Sequence, residues 1–249
     1  MCNFSGAAHA ADFGGPPAYD GSLKDGPALM SQPSWTGFYV GGHVGYGWAD
    51  NDTTTIVRNA QGNIPLNGNN PLVGVYSYDG DGWLGGLQLG YNYQSGRLVV
   101  GIEGDYSWSD ISSSFVYDPD PAKENKTAGN DINWIATIRG RAGYAFDSVL
   151  VYGTAGVAFA EFDGYVNNFW RGNGDRGSGS STETGWVAGG GLEFALAPNI
   201  TVKGEYLYMH FDSSGQMTSH DWPDGTVMHA DNDVDLHTVR LGVNYKFGN

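Results

Sequence analysis

Thr238-Val239-Arg240-Leu241-Gly242-Val243-Asn244-Tyr245-Lys246-Phe247 alternates without a slip. Val239, Leu241, Val243, Tyr245 and Phe247 fall on one side, and Thr238, Arg240, Asn244 and Lys246 on the other. A period of two is that of a β-strand, whose successive side chains point to opposite faces. One face is bulky and apolar while the other carries charge, so the two faces meet different media.

Moving back along the chain, the pattern recurs. Ile200, Val202, Tyr206 and Tyr208 oppose Thr201, Lys203 and Glu205. Trp186, Ala188, Leu192, Phe194 and Leu196 oppose Glu193 and three small residues. Ile132, Trp134, Ile138, Ala142, Tyr144 and Phe146 oppose Asn133, Thr137, Arg139 and Arg141. Leu98, Val100, Ile102, Tyr106 and Trp108 oppose Gly101, Glu103, Asp105, Ser107 and Ser109. Trp83, Leu87, Leu89, Tyr91 and Tyr93 oppose Gly86, Gln88, Gly90, Asn92 and Gln94. From Trp35 onward, Phe38, Val40, Val44, Tyr46 and Trp48 oppose Tyr39, Gly41, His43, Gly45 and Gly47. The stretch from Val149 to Phe162 is the least regular; there Val151, Val157 and Phe159 are placed outward, and Tyr152 and Thr154 inward. Eight strands are predicted.

Connection lengths alternate too. Gln94-Ser95-Gly96-Arg97, Asp147-Ser148 and Ala197-Pro198-Asn199 read as tight turns, whereas 49–82, 110–131, 160–185 and 212–235 read as long polar loops. Short turns on one side and long loops on the other characterise outer-membrane barrels, and about 9–11 tilted residues suffice to cross a bilayer. A soluble eight-stranded barrel shares the strand count, but its narrow lumen has no room for so many aromatic rings. The apolar face therefore points to lipid and the charges point inward. The barrel must also close, because an open edge in hydrocarbon strands backbone groups without partners. The prediction is an all-β, eight-stranded antiparallel up-and-down transmembrane barrel with long extracellular loops over residues 35–249.

The aromatic residues fall into two groups. Trp48, Trp83, Trp108, Trp134 and Trp186 lie at strand ends near the long loops, and Tyr93, Tyr144, Phe146, Phe194, Tyr245 and Phe247 near the tight turns. They are assigned to two interfacial girdles. The inward charges are Arg139, Arg141, Lys203, Arg240 and Lys246 against Glu103, Asp105, Glu193 and Glu205, five positive and four negative. Such groups are sustainable inside a narrow lumen only when paired, so an ion-pair network that largely fills the lumen is expected. A narrow ion path through the same charges is the alternative.

Composition narrows the function. Among 249 residues there are 40 Gly, 14% aromatics and a net charge of −15, with no clustered Lys or Arg, which argues against a nucleic-acid partner. No apolar run reaches the roughly 18 residues of a transmembrane helix. The single cysteine, Cys2, excludes an internal disulfide and a cysteine-based metal site. Ala8-His9-Ala10 followed by Ala11-Asp12-Phe13 resembles the end of a secretory signal. Residues 1–34 are accordingly read as a residual signal-peptide end and a flexible periplasmic lead-in.

Sequence motifs offer little chemistry. Asp79-Gly80-Asp81-Gly82 opens like a calcium loop, but Gly90 stands where the bidentate Glu is needed. Gly189-Gly190-Gly191 lies inside a strand and is no phosphate cradle, and His237 near Asp235 and Asp233 has no serine partner. No catalytic residue, metal site or cofactor is assigned. His210, His220 and His229, near Met209, Met217 and Met228, are candidates for a haem or metal contact, though no spacing fixes a site and unliganded histidines are the plainer reading. The last loop holds Asp212, Asp221, Asp224, Asp231, Asp233 and Asp235 without a Lys or Arg. It is read as a solvated acidic surface, with recruitment of divalent cations that bridge to lipopolysaccharide as the sharper reading.

Several stretches carry a family resemblance. They are Trp35-Thr36-Gly37-Phe38-Tyr39-Val40-Gly41-Gly42, Gly101-Ile102-Glu103-Gly104-Asp105-Tyr106, Arg139-Gly140-Arg141-Ala142-Gly143-Tyr144, Val151-Tyr152-Gly153-Thr154-Ala155-Gly156 and Arg240-Leu241-Gly242-Val243-Asn244-Tyr245-Lys246-Phe247. Together they resemble the small outer-membrane β-barrel proteins of alphaproteobacteria, the RopB-type outer-membrane immunogen or porin family. The resemblance spans residues 35 to 247. It implies an abundant surface antigen of the Gram-negative cell outer membrane, tied to envelope integrity and host contact, with no catalytic residues. Some members are described as porins and some as haemin binders. It also implies recognition of the last strand by the barrel-assembly machinery, although here Gly248 and Asn249 follow the usual terminal aromatic, Phe247. The expected function is a structural and surface barrel among outer-membrane lipids and lipopolysaccharide. A small-solute pore and a receptor for haem or a host ligand remain alternatives.

Overall fold

Each period-two segment pairs antiparallel with its sequence neighbours, and the last strand returns to the first. In the computed structural model, which describes residues 34–58, 66–67, 70–71, 73–118, 126–167, 176–217 and 227–247, the strands are β1 (Gly37–Arg58), β2 (Val73–Ser95), β3 (Leu98–Asp118), β4 (Lys126–Phe146), β5 (Val149–Asn167), β6 (Arg176–Ala197), β7 (Ile200–Met217) and β8 (Val227–Phe247). They close into one barrel in up-and-down order, β1 hydrogen-bonding to both β2 and β8. Phe38 pairs with Phe247 at one end of the closing seam and Trp48 with His237 further along. A two-residue ladder, Leu66–Asn67 with Asn70–Pro71, lies between β1 and β2. The expected lead-in before Ser34 lies outside the described residues, as does His220.

The three tight turns stand as expected, at Gly96-Arg97, Asp147-Ser148 and Pro198-Asn199. Gly96 and Asp147 both take positive φ, 62° and 50°, the left-handed region that primed hairpin turns use.

The long connections are a correction. The stretches 49–82, 110–131, 160–185 and 212–235 are mostly strand, and the barrel strands run from 18 to 23 residues rather than 9–11. The barrel continues well past the membrane because the alternation does not stop at the loop-side aromatics; it changes sense. On β7, Lys203 and Glu205 face inward beneath Leu207, Met209 and Phe211, while the outward positions change from Val202 and Tyr206 to His210 and Asp212. On β5, Val151 and Val157 face out below, and Ala158, Ala160 and Phe162 face in above. Lipid surrounds the lower part, so apolar groups point out; water surrounds the upper part, so they point in.

The outward apolar band is continuous around the barrel. From Phe38 to Trp48, at about 3.3 Å per residue and a tilt of about 40°, it is roughly 25 Å tall. Leu87, Leu89, Val100, Ile102, Ile138, Leu192, Leu241 and Val243 fill its middle, all exposed. Rings border both edges in contacting groups. On the turn side Phe38 meets Tyr91 at 4.7 Å, Tyr144 meets Phe146 at 4.7 Å and Tyr245 meets Phe247 at 5.1 Å between centroids. On the loop side Tyr106 stacks on Trp134 at 5.7 Å, Trp48 on His237 at 5.7 Å, and Trp186 meets Tyr208 edge-on at 5.1 Å. Trp83 and Trp108 are exposed in the same border, and Tyr93 and Phe194 in the lower one.

A second correction concerns phase on β4. Ile132 was expected outward and Asn133 inward, but Ile132 is buried in the lumen and Asn133 is exposed. Pairing with β5 steps from Ile132–Phe162 to Trp134–Glu161, leaving Asn133 as an extra residue, and the pairing with β3 shifts between Trp108 and Ile111. This bulge turns one residue out of the ladder and reverses the facing beyond it. The displaced Asn133 amide donates to Asp163 at 2.6 Å on the outer surface.

Candidate functional site

Among the described residues, the lumen is where charge is concentrated away from water. An eight-stranded barrel leaves an interior that side chains can fill, and here three layers fill it.

The middle layer is ionic. Glu103 and Asp105 on β3, Arg139 and Arg141 on β4, Glu193 on β6, Lys203 and Glu205 on β7 and Arg240 on β8 are all buried. Alternation sends each inward, and most of the pairs reach across the lumen between strands that are not neighbours in the wall. Arg139 Nη2 meets Glu103 Oε1 at 2.6 Å and Asp105 Oδ2 at 2.9 Å, while its Nη1 lies 3.0 Å from Glu205. Arg141 pairs with Glu193 at 2.7 Å, Arg240 with Asp105 at 2.8 Å and Lys203 with Glu103 at 2.8 Å. Four cations face four carboxylates, so the layer is electrically neutral. That balance matters because a buried charge costs several kcal/mol unless its partners offset the lost hydration.

Neutral side chains extend the network. Tyr39 donates to Glu103 at 2.7 Å, Tyr152 to Glu205 at 2.9 Å, and Thr201 and Asn244 to Glu193 at 2.5 and 2.9 Å. Thr137 donates to Asp105 and accepts from Arg139 Nε at 2.9 Å. The Arg141 guanidinium also lies 4.0 Å from the centre of the Tyr152 ring, a cation–π contact. His43 bonds to Ser107 at 2.8 Å and to Gln88 at 3.2 Å, the hydrogen-bonded inward role expected of it. Sequence reading placed most of these side chains inward without giving them partners; Tyr39 and Tyr152 carry the signal, as hydroxyl-bearing rings on the charged face.

Lys246 does not join this network. It faces inward, but its ammonium donates to the backbone carbonyl of Ser34, and no carboxylate pairs with it among the described residues. It stands at the last inward position of β8, below the ionic layer, where the nearest acceptor is the chain entering β1.

The other two layers are apolar, so the ion-pair network expected to fill most of the lumen occupies only its middle. Towards the loops, Leu84, Ile111, Ile132, Ile135, Phe162, Val187, Leu207, Met209, Phe211, Val234 and Leu236 pack with three alanines into one cluster. Phe162 and Phe211 meet edge-on at 5.5 Å. Towards the turns, Trp35, Val99, Ala145, Leu150 and Tyr152 form a second cluster. The ionic layer is thus held between two greasy ones. Space is close throughout: a Cβ added at Gly156 would meet the Ile138 carbonyl oxygen at 2.0 Å and the Arg139 Cα at 2.7 Å.

Of the candidate histidines, His210 and His229 stand far apart in the β7–β8 ladder, and His220 lies outside the described residues. His210 faces outward at the loop-side border, its Nδ1 2.7 Å from Asp235 and its Nε2 3.0 Å from Asp212. His229 pairs in the ladder with Gln216, six positions from the His210–Asp235 pair on both β7 and β8. A separation of roughly 20 Å at about 3.3 Å per residue prevents both histidines from ligating one ion. The bond from Asp235 holds His210 above the ordinary imidazole pKa, and Asp235 is held below the ordinary carboxylate range by Tyr208 first and His210 after it.

Closed antiparallel strands, a lipid-facing apolar band and a neutral buried ionic layer define an outer-membrane β-barrel protein. Residues 26–247 match the model of the outer membrane protein beta-barrel domain, and the chain belongs to that family. It is 31% identical over 221 residues to the 31 kDa outer-membrane immunogenic protein of Brucella melitensis, covering 86% of this chain and 84% of that protein. It is 31% identical over 254 residues to the 25 kDa outer-membrane immunogenic protein of Brucella canis, covering 98% and 92%. Among solved structures, the outer membrane protein OprG of Pseudomonas aeruginosa aligns over 88% of this chain and 99% of that one, at 15% identity and a TM-score of 0.47. The protein resides in the bacterial outer membrane.

Proposed function

We propose that this protein is a structural and surface barrel that strengthens the outer membrane and presents an acidic face to the exterior, without conducting solutes. The observation that carries this reading is the stacking of a neutral ionic layer between two packed apolar clusters. Ions entering from the outside would have to cross Phe211, Leu236 and their neighbours unhydrated, and the buried charges have already found partners. A long closed barrel with two rows of interfacial rings is also mechanically suited to anchoring in lipid. The surface-antigen role fits the names of the Brucella relatives and the length of strand that projects beyond the apolar band.

The reading includes no catalysis. The histidine and carboxylate nearest to a catalytic pair are otherwise engaged, His237 with the Tyr206 hydroxyl at 2.7 Å and Asp235 with Tyr208 and His210. Lipopolysaccharide at the loop-side border and the assembly machinery at β8 are the proposed partners.

The test is a deletion strain assayed for two traits. Loss of the protein should raise sensitivity to detergents and bile salts, with restoration by the wild-type gene, while uptake of small hydrophilic solutes stays constant. Slower uptake with unchanged detergent resistance would replace this reading by a pore.

A further inference from the structure

Trp35-Thr36-Gly37 opens the first of the stretches that carry the family resemblance, yet Trp35 and Thr36 precede β1 and strand pairing does not explain them. We propose that Ser34–Gly37 is a built-in periplasmic stopper, with the Trp35 ring closing the turn-side mouth and the chain around it locking the seam between β1 and β8. The inference rests on the closed-lumen reading and adds how the lower end is closed.

Trp35 is not an interfacial tryptophan like Trp83 or Trp108. Only 3% of it is exposed, against 65% for Trp83. Its ring belongs to the cluster with Val99, Ala145, Leu150 and Tyr152, inward residues at the turn-side ends of β3, β4 and β5. Those strands stand two, three and four positions from β1 around the barrel, β5 directly opposite it. The segment therefore reaches from the start of β1 under the barrel instead of continuing β1 downward.

Three ties hold it there. The Trp35 backbone N–H donates to the Gln94 side chain at 2.7 Å, and Gln94 returns a backbone N–H to Thr36 Oγ1 at 2.9 Å. On the other flank, Lys246 donates to the Ser34 carbonyl. One neighbour of β1 is thus gripped through Gln94 and the other through Lys246, so the strap spans the junction where the first and last strands meet. This also explains why Lys246 stands apart from the ionic layer.

Gly37 makes the bend feasible. Its φ is +140°, and a Cβ there would meet the Phe247 carbonyl oxygen at 2.7 Å. Any other residue would be strained and would also push against the end of β8. Trp, Thr and Gly thus have separate duties: a ring to fill the mouth, a hydroxyl to fix the strap and a hinge to turn it under.

Cysteine accessibility tests the stopper separately from conduction, because labelling an inward residue needs only the lower mouth open whereas current needs both ends open. Purified full-length protein carrying Cys2→Ser and Ala145→Cys is treated in micelles with a charged, water-soluble maleimide, folding being checked by heat-modifiable migration. Labelling should be slow, remain slow with Trp35→Phe, and quicken on the order of tenfold with Trp35→Ala as the mouth opens. If Trp35→Ala does not fold, Thr36→Val and Gln94→Ala with Lys246→Met cut all three ties while keeping the ring, and the same quickening is expected. A folded Trp35→Ala protein labelled at the unaltered rate would overturn the proposal, as would an unaltered rate in the tie variant where Trp35→Ala fails to fold.

Discussion

Lys203 on β7 and Glu103 on β3 belong to opposite walls of the barrel, four strands apart, yet the ammonium lies 2.8 and 3.0 Å from the two carboxylate oxygens. A contact across the full diameter means that the lumen is bridged, not lined. The same Glu103 also receives Arg139 and Tyr39, with Arg141 at 3.7 Å, which makes it the centre of the ionic layer.

Removing that centre should cost more than removing one spoke. Glu103→Gln leaves three buried cations short of an anion, so a loss at or above about 3–5 kcal/mol is expected. Lys203→Met should cost less, because Arg139 and Arg141 still hold the carboxylate. Urea unfolding in micelles gives both values, and equal costs would show that Glu103 has no central place.

The upper apolar cluster should behave as a protein core although it lies inside a membrane protein. Phe211→Ala removes a fully buried ring that contacts Phe162, and a loss of about 3–5 kcal/mol is expected from transfer and cavity terms. A loss under about 1 kcal/mol would mean that this part of the barrel holds water rather than packed side chains.

Much of this organisation was legible in the chain. Strict alternation in Thr238–Phe247 and Ile200–Tyr208 gave face, strand and medium together, and the three turns followed from Gly96, Asp147 and Pro198. The upper half was not read, because polar outward residues such as Asp212, Asp233 and Asp235 look like a loop when lipid is assumed outside. Val234 and Leu236, interleaved with those aspartates, carried the signal in reversed sense. Ile132 was misplaced because a bulge leaves no mark in a periodic pattern. Lys246 was misassigned because alternation tells which way a side chain points, not at what height it finds a partner.

Tight packing around the ionic layer predicts intolerance at Gly156. Gly156→Ala forces a Cβ against β4 backbone and should cost about 1–3 kcal/mol, whereas Gly179→Ala, with nothing within 4 Å of the added carbon, should be neutral. Thermal migration shifts of the two variants provide the comparison, and identical behaviour would contradict the packing described.

At the loop-side border, acidity should act through His210 and Asp235. The imidazole pKa is raised, so the contribution of its charged form is complete below the unfolded value and fades as pH rises through the folded one. The carboxylate pKa is lowered, so its contribution fades only as pH falls through that depressed value. The pair is therefore strongest in the window between the two. Histidine NMR titration should place His210 above the ordinary imidazole value, and Asp235→Asn should bring it down; an unmoved titration in the variant would break the link.

Whether the lumen is closed can be measured outright by planar-bilayer recording of purified, folded monomer. The packed clusters on either side of the ionic layer predict a silent bilayer across the voltage range at which porins conduct. Reproducible current steps from the monomeric wild-type protein would contradict a sealed lumen.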